Sequence, residues 1–283
     1  MEDKPKGAGG YSPVMVGYVK KTCLYIATVI GDLLDNVVVV GGLVPSLLIP
    51  SERMQKYGDP HVGTTDLDLG LSLMLLDDQR YEELTKRLRQ ANFENDVNVA
   101  GNPVRQRWRI KAGDYAVSVD FLIPPSKHSD KAGSLRNIEN DFAAIITPGL
   151  HLAFEDYVLV SIEGETIEGG QASRQIKVCG PGAFIVLKAH AFRQRGLPKD
   201  AYDLHYIIRY YGTGLADVLQ RLKPLKRHDI TRAAIDILRQ DFINPASIGP
   251  LRVASFLRGS PVADIQADVA GDIGQLLKDW EKL

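Results

Sequence analysis

Cysteine is scarce in this chain, with only Cys23 and Cys179 among 283 residues. The two lie far apart in the sequence, and neither a CxxC motif nor a His-rich spacing accompanies them. A disulfide framework and a structural zinc site both need cysteines or histidines at short, regular spacings, so neither is expected. The composition favours a reducing compartment, the cytoplasm.

A surplus of charge is also missing, because 34 Lys and Arg nearly balance 35 Asp and Glu to give a formal net charge of -1. Such a chain has no overall attraction to nucleic acid or membranes, so any basic surface must be local. Long apolar runs are lacking as well, since Lys20, Lys21 and Asp32 interrupt the most apolar stretch, residues 14–34. We therefore expect a core-facing helix there, and neither a membrane span nor a signal peptide.

The length and the distribution of patterns predict two domains. At about 100–200 residues per domain, 283 residues exceed a single minimal module. Residues 1–10 are charged and glycine-rich, which predicts a disordered leader. Residues 11–180 combine strand and helix patterns, whereas residues 181–283 show helical periodicity alone. The predicted fold class is α+β, a mixed sheet with flanking helices, followed by a mainly helical C-terminal domain.

Several segments carry enough pattern to predict individual elements. Residues 124–140 are rich in Pro, Lys and Ser and are expected to form a loop. A strand pair is predicted at 157–162 and 175–178. Helices are predicted at about 12–34, 43–49, 77–91, 183–194, 199–211, 215–221, 229–239 and 262–283.

One stretch near the N-terminus has the pattern of a site. Four consecutive valines at 37–40 predict a short buried strand, and Gly41 and Gly42 after it allow the backbone to approach a ligand closely. Further on, the sequence TTDLDL alternates with a period of two, so Asp66 and Asp68 share one face of a second strand. Since like charges repel at this spacing, the pair indicates a bound cation such as Mg²⁺.

A third carboxylate lies on a further predicted strand, residues 115–123, where Asp120 faces away from the apolar Val117 and Val119. If this strand neighbours the one with Asp66 and Asp68, three carboxylates converge beside the two glycines. Such a set suits two divalent ions that align a triphosphate for phosphoryl or nucleotidyl transfer.

The preceding segment RQRWRIK alternates strictly, which places Arg105, Arg107, Arg109 and Lys111 on one strand face. Two interpretations stay open. The four cations could bind phosphates, or they could form the solvated outer face of an edge strand that resists aggregation.

A second charged constellation lies in the helical half. Lys188 and Arg195 are seven residues apart and share a helix face, and Lys199, Asp200 and Asp203 begin the next helix. Ion pairs between the two helices are one interpretation. The other is a lysine that points at a triphosphate.

The order of these motifs resembles the AbiEii/AbiGii-type nucleotidyltransferases, a branch of the polymerase-beta-like nucleotidyltransferase superfamily, over roughly residues 37–210. The resemblance implies a nucleotidyltransferase fold and transfer of a nucleoside monophosphate from an NTP, with Mg²⁺ or Mn²⁺ as cofactor. It further implies a toxin of a toxin–antitoxin or phage-abortive system, an RNA acceptor such as the tRNA 3′ end, a possible cognate antitoxin, and no membrane partner.

The resemblance also assigns roles by motif. The implied metal ligands are Asp66, Asp68 and Asp120, and the implied catalytic set adds Lys188 and Asp203. The implied nucleotide-binding residues are Gly41, Gly42, Ser46, Thr65, Lys188 and Arg195. Leu43 stands where related enzymes often have serine, and Ser46, one helical turn later, is the candidate for that hydroxyl.

Rival functions share parts of this pattern. A small-molecule transferase of the antibiotic-modifying type would use the same metal chemistry with an acidic acceptor pocket, which the basic RQRWRIK strand disfavours. A protein acceptor is a further alternative. A non-catalytic nucleotide-binding or partner-binding module would tolerate loss of Asp66.

Overall fold

The computed structural model of this chain describes residues 5–51, 54, 58–72, 78–98, 100–112, 115–139 and 141–283. The chain divides into two compact units. The first comprises Ser12–Val44 and Gly63–Cys179, and the second comprises Pro45–Val62, Gly180–Leu283 and the described residues of Lys4–Tyr11. The predicted domain boundary at residue 180 stays a prediction.

The first unit is built on a mixed sheet with nine strands among the described residues. Seven strands run in the order β3-β4-β5-β2-β1-β9-β8, and β7 pairs with β5 and β6. The strands are β1 Val37–Val40, β2 Asp66–Leu71, β3 Glu94–Val97, β4 Pro103–Ala112, β5 Tyr115–Ile123, β6 Leu135–Glu139, β7 Phe142–Ile146, β8 Tyr157–Glu165 and β9 Gln171–Cys179.

Alternation along the central strands separates an apolar face from a polar one. Leu67 on β2, Trp108 on β4 and Val119 on β5 are fully buried. Trp108 and Phe121 also meet the ring of Phe142 edge-on, at centroid distances of 5.8 and 5.1 Å. Burial of this face fixes the register, because a slip by one residue would turn every apolar side chain outward.

The helices are α1 Pro13–Ile30, α2 Val44–Leu48, α3 Asp78–Gln90, α4 Leu152–Glu155, α5 Pro181–Arg195, α6 Pro198–Tyr210, α7 Leu215–Leu222, α8 Asp229–Asp241, α9 Ile248–Arg258 and α10 Ala263–Trp280. Helix α1 ends at Ile30, before Gly31, whose φ of 55° is unfavourable for other residues. The sequence predicted a helix to about residue 34, and Gly31–Asn36 form a 3-10 helix instead.

Helix α1 and the turn that follows it form the most apolar segment. In the described part of the chain, Pro13–Asn36 is long and apolar enough to span a membrane by length and composition, with a mean hydropathy of 1.3. Within the first unit, however, α1 buries Val19, Cys23, Ile26 and Ile30. This agrees with the prediction of a core-facing helix.

Three predictions about elements differ from the structure. The segment 124–140, predicted as a loop, contains β6, and the elements β3, β7, α4 and α9 were not predicted. The strand β4 lies between β3 and β5, so the edge-strand interpretation of its basic face was wrong. The polar sequence ENDV of β3 has no alternation that would have revealed a strand beside β4.

Some predictions fall on residues that the structure does not describe. The start of the predicted helix at residue 77 and residues 1–4 of the predicted leader lie outside the described residues.

Candidate active site

Three carboxylates of the first unit, Asp66, Asp68 and Asp120, form what we call the carboxylate site. Strand β2 runs parallel to β5 with Asp68 beside Asp120, and β2 is antiparallel to β1 with Asp68 beside Val40. Paired residues of adjacent strands project from the same face, so the register brings the carboxylates together. Each contributes an oxygen that lies within 4.8 Å of the others.

Gly41 makes room for this arrangement at the end of β1. Its φ is +71°, and a Cβ atom built there would lie 1.9 Å from Oδ2 of Asp68. A side chain at this position would therefore both strain the backbone and displace the carboxylate. Sequence reasoning expected the glycine to let the backbone approach a ligand, and in the described residues the group that approaches it is Asp68.

Thr64, which sequence reasoning did not single out, orients the first carboxylate. Its Oγ1 donates a hydrogen bond of 2.8 Å to Oδ1 of Asp66, and both side chains are buried. The neighbouring Thr65, predicted to contact nucleotide, is partly exposed just before β2. The nucleotide contact of Thr65 stays a prediction, because the hydrogen bond of Thr64 to Asp66 concerns a different role.

Arg107 of β4 binds Asp120 with both arms of its guanidinium. Nε donates to Oδ1 at 2.8 Å and an NH2 group donates to Oδ2 at 2.6 Å. These hydrogen bonds raise the pKa of Arg107 above its usual value, and the charges of Asp66 and Asp68 act in the same direction. Two of the four cations on the basic strand face thus form ion pairs, since Arg109 in turn contacts Glu94 and Asp96 on β3.

The donor set of the carboxylate site fits a divalent cation. Carboxylate oxygens are the ligands that Mg²⁺ takes in proteins, and three of them converge here. Three carboxylates this close together attract a divalent cation more strongly than a single carboxylate would.

The second unit holds what we call the ion cluster: Lys188, Arg195, Lys199, Asp200 and Asp203. Lys188 Nζ donates to Asp200 at 2.9 Å and to Asp203 at 2.8 Å, which joins α5 to α6. Lys199 Nζ donates to Asp203 at 2.6 Å. Arg195 binds both oxygens of Asp200, at 2.6 and 2.8 Å. The predicted interhelical ion pairs are therefore present.

Burial alone would raise the pKa of Asp203, but the ammonium groups of Lys188 and Lys199 outweigh it and hold that pKa far below its usual value. Burial would likewise lower the pKa of Lys188, and the two carboxylates raise it instead. At neutral pH both groups are consequently charged.

His61 extends the ion cluster to Ser46. Its Nε2 lies 2.8 Å from Oδ1 of Asp203, and its Nδ1 lies 3.1 Å from Oγ of Ser46. Because the ionised Asp203 can only accept, Nε2 carries the proton, and the Ser46 hydroxyl donates to Nδ1. The imidazole stacks on Tyr202 with a centroid distance of 5.3 Å.

This Ser–His–Asp arrangement has the connectivity of an activated nucleophile, but its imidazole is a weak base. Burial lowers the pKa of His61 to about 4, although the hydrogen bond to Asp203 opposes the shift. A catalytic base works best with a pKa near the working pH. The Asp203–His61 pair therefore orients the Ser46 hydroxyl, whose hydrogen is directed at His61.

Sequence reasoning did not find the role of His61, because His61 and Asp203 are 142 positions apart in the sequence. No sequence motif links His61 to Asp203. Of the other predicted nucleotide-binding residues, Gly42 is buried directly after β1.

Comparison with known proteins identifies the relationship. No curated protein matches the chain. A family model described as "Nucleotidyl transferase AbiEii toxin, Type IV TA system" matches residues 55–270, which is most of the chain. This span contains the carboxylate site and the ion cluster. The chain therefore belongs to the AbiEii nucleotidyl transferase toxin family of type IV toxin–antitoxin systems.

Proposed function

We propose that this chain is a Mg²⁺- or Mn²⁺-dependent nucleotidyltransferase that moves a nucleoside monophosphate from an NTP to RNA, with the tRNA 3′ end as acceptor. The observation that supports this most is the row of carboxylates on β2 and β5, all within 4.8 Å of one another. Family membership supports nucleotidyl transfer and a toxin role, and the cognate antitoxin is the expected protein partner.

In this reaction a hydroxyl of the acceptor attacks the α-phosphorus, the new P–O bond forms, the bond to the β-phosphate oxygen breaks, and pyrophosphate leaves. A bound divalent ion would neutralise the triphosphate and lower the pKa of the hydroxyl. Asp66 and Asp68 would hold the ion, and Asp120 would help to activate the hydroxyl. Since Arg107 engages both oxygens of Asp120, it must release one of them for this role.

Lys188 is the proposed phosphate ligand. An ammonium has three N–H donors, and two of those of Lys188 go to Asp200 and Asp203, so a third can reach a phosphate oxygen. Asp203 completes the proposed catalytic set by holding Lys188 charged. The remaining proposed nucleotide contacts are Gly41, Gly42, Ser46, Thr65 and Arg195.

We place the protein in the cytoplasm. Cys23 is a free thiol, and both cysteines are buried. Burial raises the pKa of Cys23 to about 12, so this thiol is unreactive at neutral pH. Free thiols suit a reducing compartment.

The decisive experiment offers each α-labelled NTP to the protein with total RNA, protein extract and a small-molecule extract, in Mg²⁺ or in EDTA, and then separates the products. We expect label on RNA in Mg²⁺ only, and none with Asp66→Asn. The matched control is Asp96→Asn, a carboxylate of β3 that pairs with Arg109. Label in the protein or small-molecule fraction would overturn the RNA acceptor, and absence of transfer to any fraction would favour a binding module.

The toxin role is tested in growing cells. Induced wild-type protein should slow growth, and the Asp66→Asn variant at equal abundance should not. Equal inhibition by both proteins would contradict a role for nucleotidyl transfer in toxicity.

A further inference from the structure

Arg107 lies within the carboxylate site, although no sequence motif gave it a specific partner. Strand β4 is antiparallel to β5 with Arg107 directly beside Asp120. Its two hydrogen bonds, 2.8 and 2.6 Å long, engage both carboxylate oxygens. These oxygens are also the atoms that a divalent cation would bind, so Arg107 and the cation compete for the same ligand.

The Arg107–Asp120 ion pair is largely shielded from water, so the charge of Arg107 acts strongly on neighbouring groups. The Asp120 side chain is 8% exposed and the Arg107 side chain 21% exposed, so water screens the pair less than it screens the surface pairs. Asp66 and Asp68 belong to the same site. The guanidinium therefore acts as counter-ion to all three carboxylates.

Whether the Arg107 guanidinium attracts or repels an incoming ligand depends on the net charge of that ligand. A bare Mg²⁺ ion is positive, so the guanidinium repels it. A complex of Mg²⁺ with a nucleoside triphosphate is negative overall, so the same guanidinium attracts it. One residue can thus oppose the metal alone and favour the metal with its nucleotide.

We infer that Arg107 is the resident counter-ion of the carboxylate site, holding Asp120 in the metal-free protein and admitting a divalent cation mainly as its nucleoside triphosphate complex. Arg107 is a positioning residue in this scheme. The inference rests on the proposed function, because it takes the carboxylate site as the binding place of the metal and the NTP.

The test is calorimetric titration of the full chain with MgCl₂ alone and with Mg²⁺ plus each α,β-methylene nucleoside triphosphate, which cannot be cleaved at that bond. For Arg107→Gln we expect about tenfold tighter binding of Mg²⁺ alone, because a unit charge a few ångströms from a divalent ion is removed. Binding of the nucleotide complex should weaken by about tenfold for the same reason, with the opposite sign.

Two further variants separate charge from position. Arg107→Lys keeps the charge, so its affinity for Mg²⁺ alone should stay within about twofold of the wild type even though the bidentate geometry is lost. Arg109→Gln is the matched control. Its guanidinium lies on the same strand face but pairs with Glu94 and Asp96, so neither affinity should change.

Unchanged or weaker binding of Mg²⁺ alone by Arg107→Gln would overturn the inference, because a residue that only contacts phosphate or only supports the fold has that signature. If Arg107→Gln does not fold, Asp120→Asn is compared with the double variant Arg107→Gln/Asp120→Asn, which removes the buried pair as a whole. The double variant should bind Mg²⁺ more tightly, and equal affinities overturn the inference. If the wild type transfers nucleotide but the Arg107 variants leave both affinities unchanged, this inference alone is overturned. If the wild type neither transfers nucleotide nor binds Mg²⁺ with a nucleoside triphosphate, the proposed function is overturned too.

Discussion

Asp68 carries its negative charge next to two other carboxylates, those of Asp66 and Asp120. Asp68→Asn removes an anionic ligand while it keeps the volume of the side chain. In EDTA we expect the variant to melt at or above the wild-type temperature, because repulsion among the carboxylates is relieved. We also expect it to lose most of the stabilisation that Mg²⁺ and NTP give the wild type.

Thermal unfolding of both proteins in EDTA and in Mg²⁺ plus NTP provides the measurement. A variant that melts well below the wild type in EDTA would indicate a structural ion pair at Asp68 and would count against the metal-ligand role.

His61 makes stability depend on pH in a defined window. Its folded pKa, about 4, lies below the ordinary histidine pKa of 6.5 that applies to the unfolded chain, so the unfolded state binds more protons between these values. Stability should therefore fall as the pH drops from 6.5 to 4, by up to about 3 kcal/mol. Asp203, whose folded pKa is depressed, loses its contribution only below about pH 4.

Urea unfolding of wild type and His61→Gln at pH values from 7 to 3 tests this prediction. The variant should lack the slope between pH 6.5 and 4 and keep the slope below pH 4. Equal slopes in the upper window would show that His61 is not the group responsible.

At the scale of elements, the turn after β1 requires a glycine at position 41. Gly41→Ala should lower the free energy of unfolding by about 1–3 kcal/mol, because φ is positive there and a Cβ would meet Asp68. Transfer activity should fall by more than the loss of folded protein explains, since Asp68 must move. Denaturant unfolding and the RNA-labelling assay measure the two effects.

Gly274→Ala in α10 is the control, because a Cβ there meets nothing within 4 Å. It should leave activity unchanged and raise stability by about 0.5–1 kcal/mol, the usual gain in a helix interior. If Gly41→Ala behaved in the same way, the close approach to Asp68 would be refuted.

The helix pair α5–α6 depends on one buried lysine. Lys188→Met leaves Asp200 and Asp203 without their shared partner, and breaking a buried pair costs about 3–5 kcal/mol. Arg195→Gln removes a side chain that is 50% exposed, so its cost should stay below about 1 kcal/mol. Urea denaturation of both variants measures the difference, and comparable losses would contradict the buried position of Lys188.

At the scale of the whole molecule, the second compact unit takes Pro45–Val62 from the N-terminal half of the chain. Asp59 accepts a hydrogen bond from Tyr206, and the Tyr202 hydroxyl accepts one from the backbone N–H of Val62. A fragment of residues 181–283 lacks these partners. We therefore expect it to have reduced helicity and a broad thermal transition, and a peptide of residues 45–62 to restore both.

Far-UV circular dichroism of the fragment with and without the peptide provides the measurement, and a peptide with His61→Ala should restore less. A fragment that melts sharply at the same temperature with or without the peptide would instead support residue 180 as the boundary of an independently folding domain.

Local patterns in the sequence determined much of this protein. Period-two alternation put Asp66 and Asp68 on one face of β2, and helical spacing put Lys188 and Arg195 on one face of α5, because these periods follow from backbone geometry alone. The order of the motifs was sufficient to indicate the family before any contact was known. The α+β class with a mixed sheet and a helical C-terminal half was likewise predicted correctly.

Only the tertiary structure decided which partners these groups have. Arg107 meets Asp120 because β4 pairs with β5 in one register, and that register depends on burial of Trp108 beside Val119. His61 meets Asp203 across 142 positions because its segment packs on α6. Such contacts depend on how apolar faces are buried between distant segments, and no local period in the sequence encodes that.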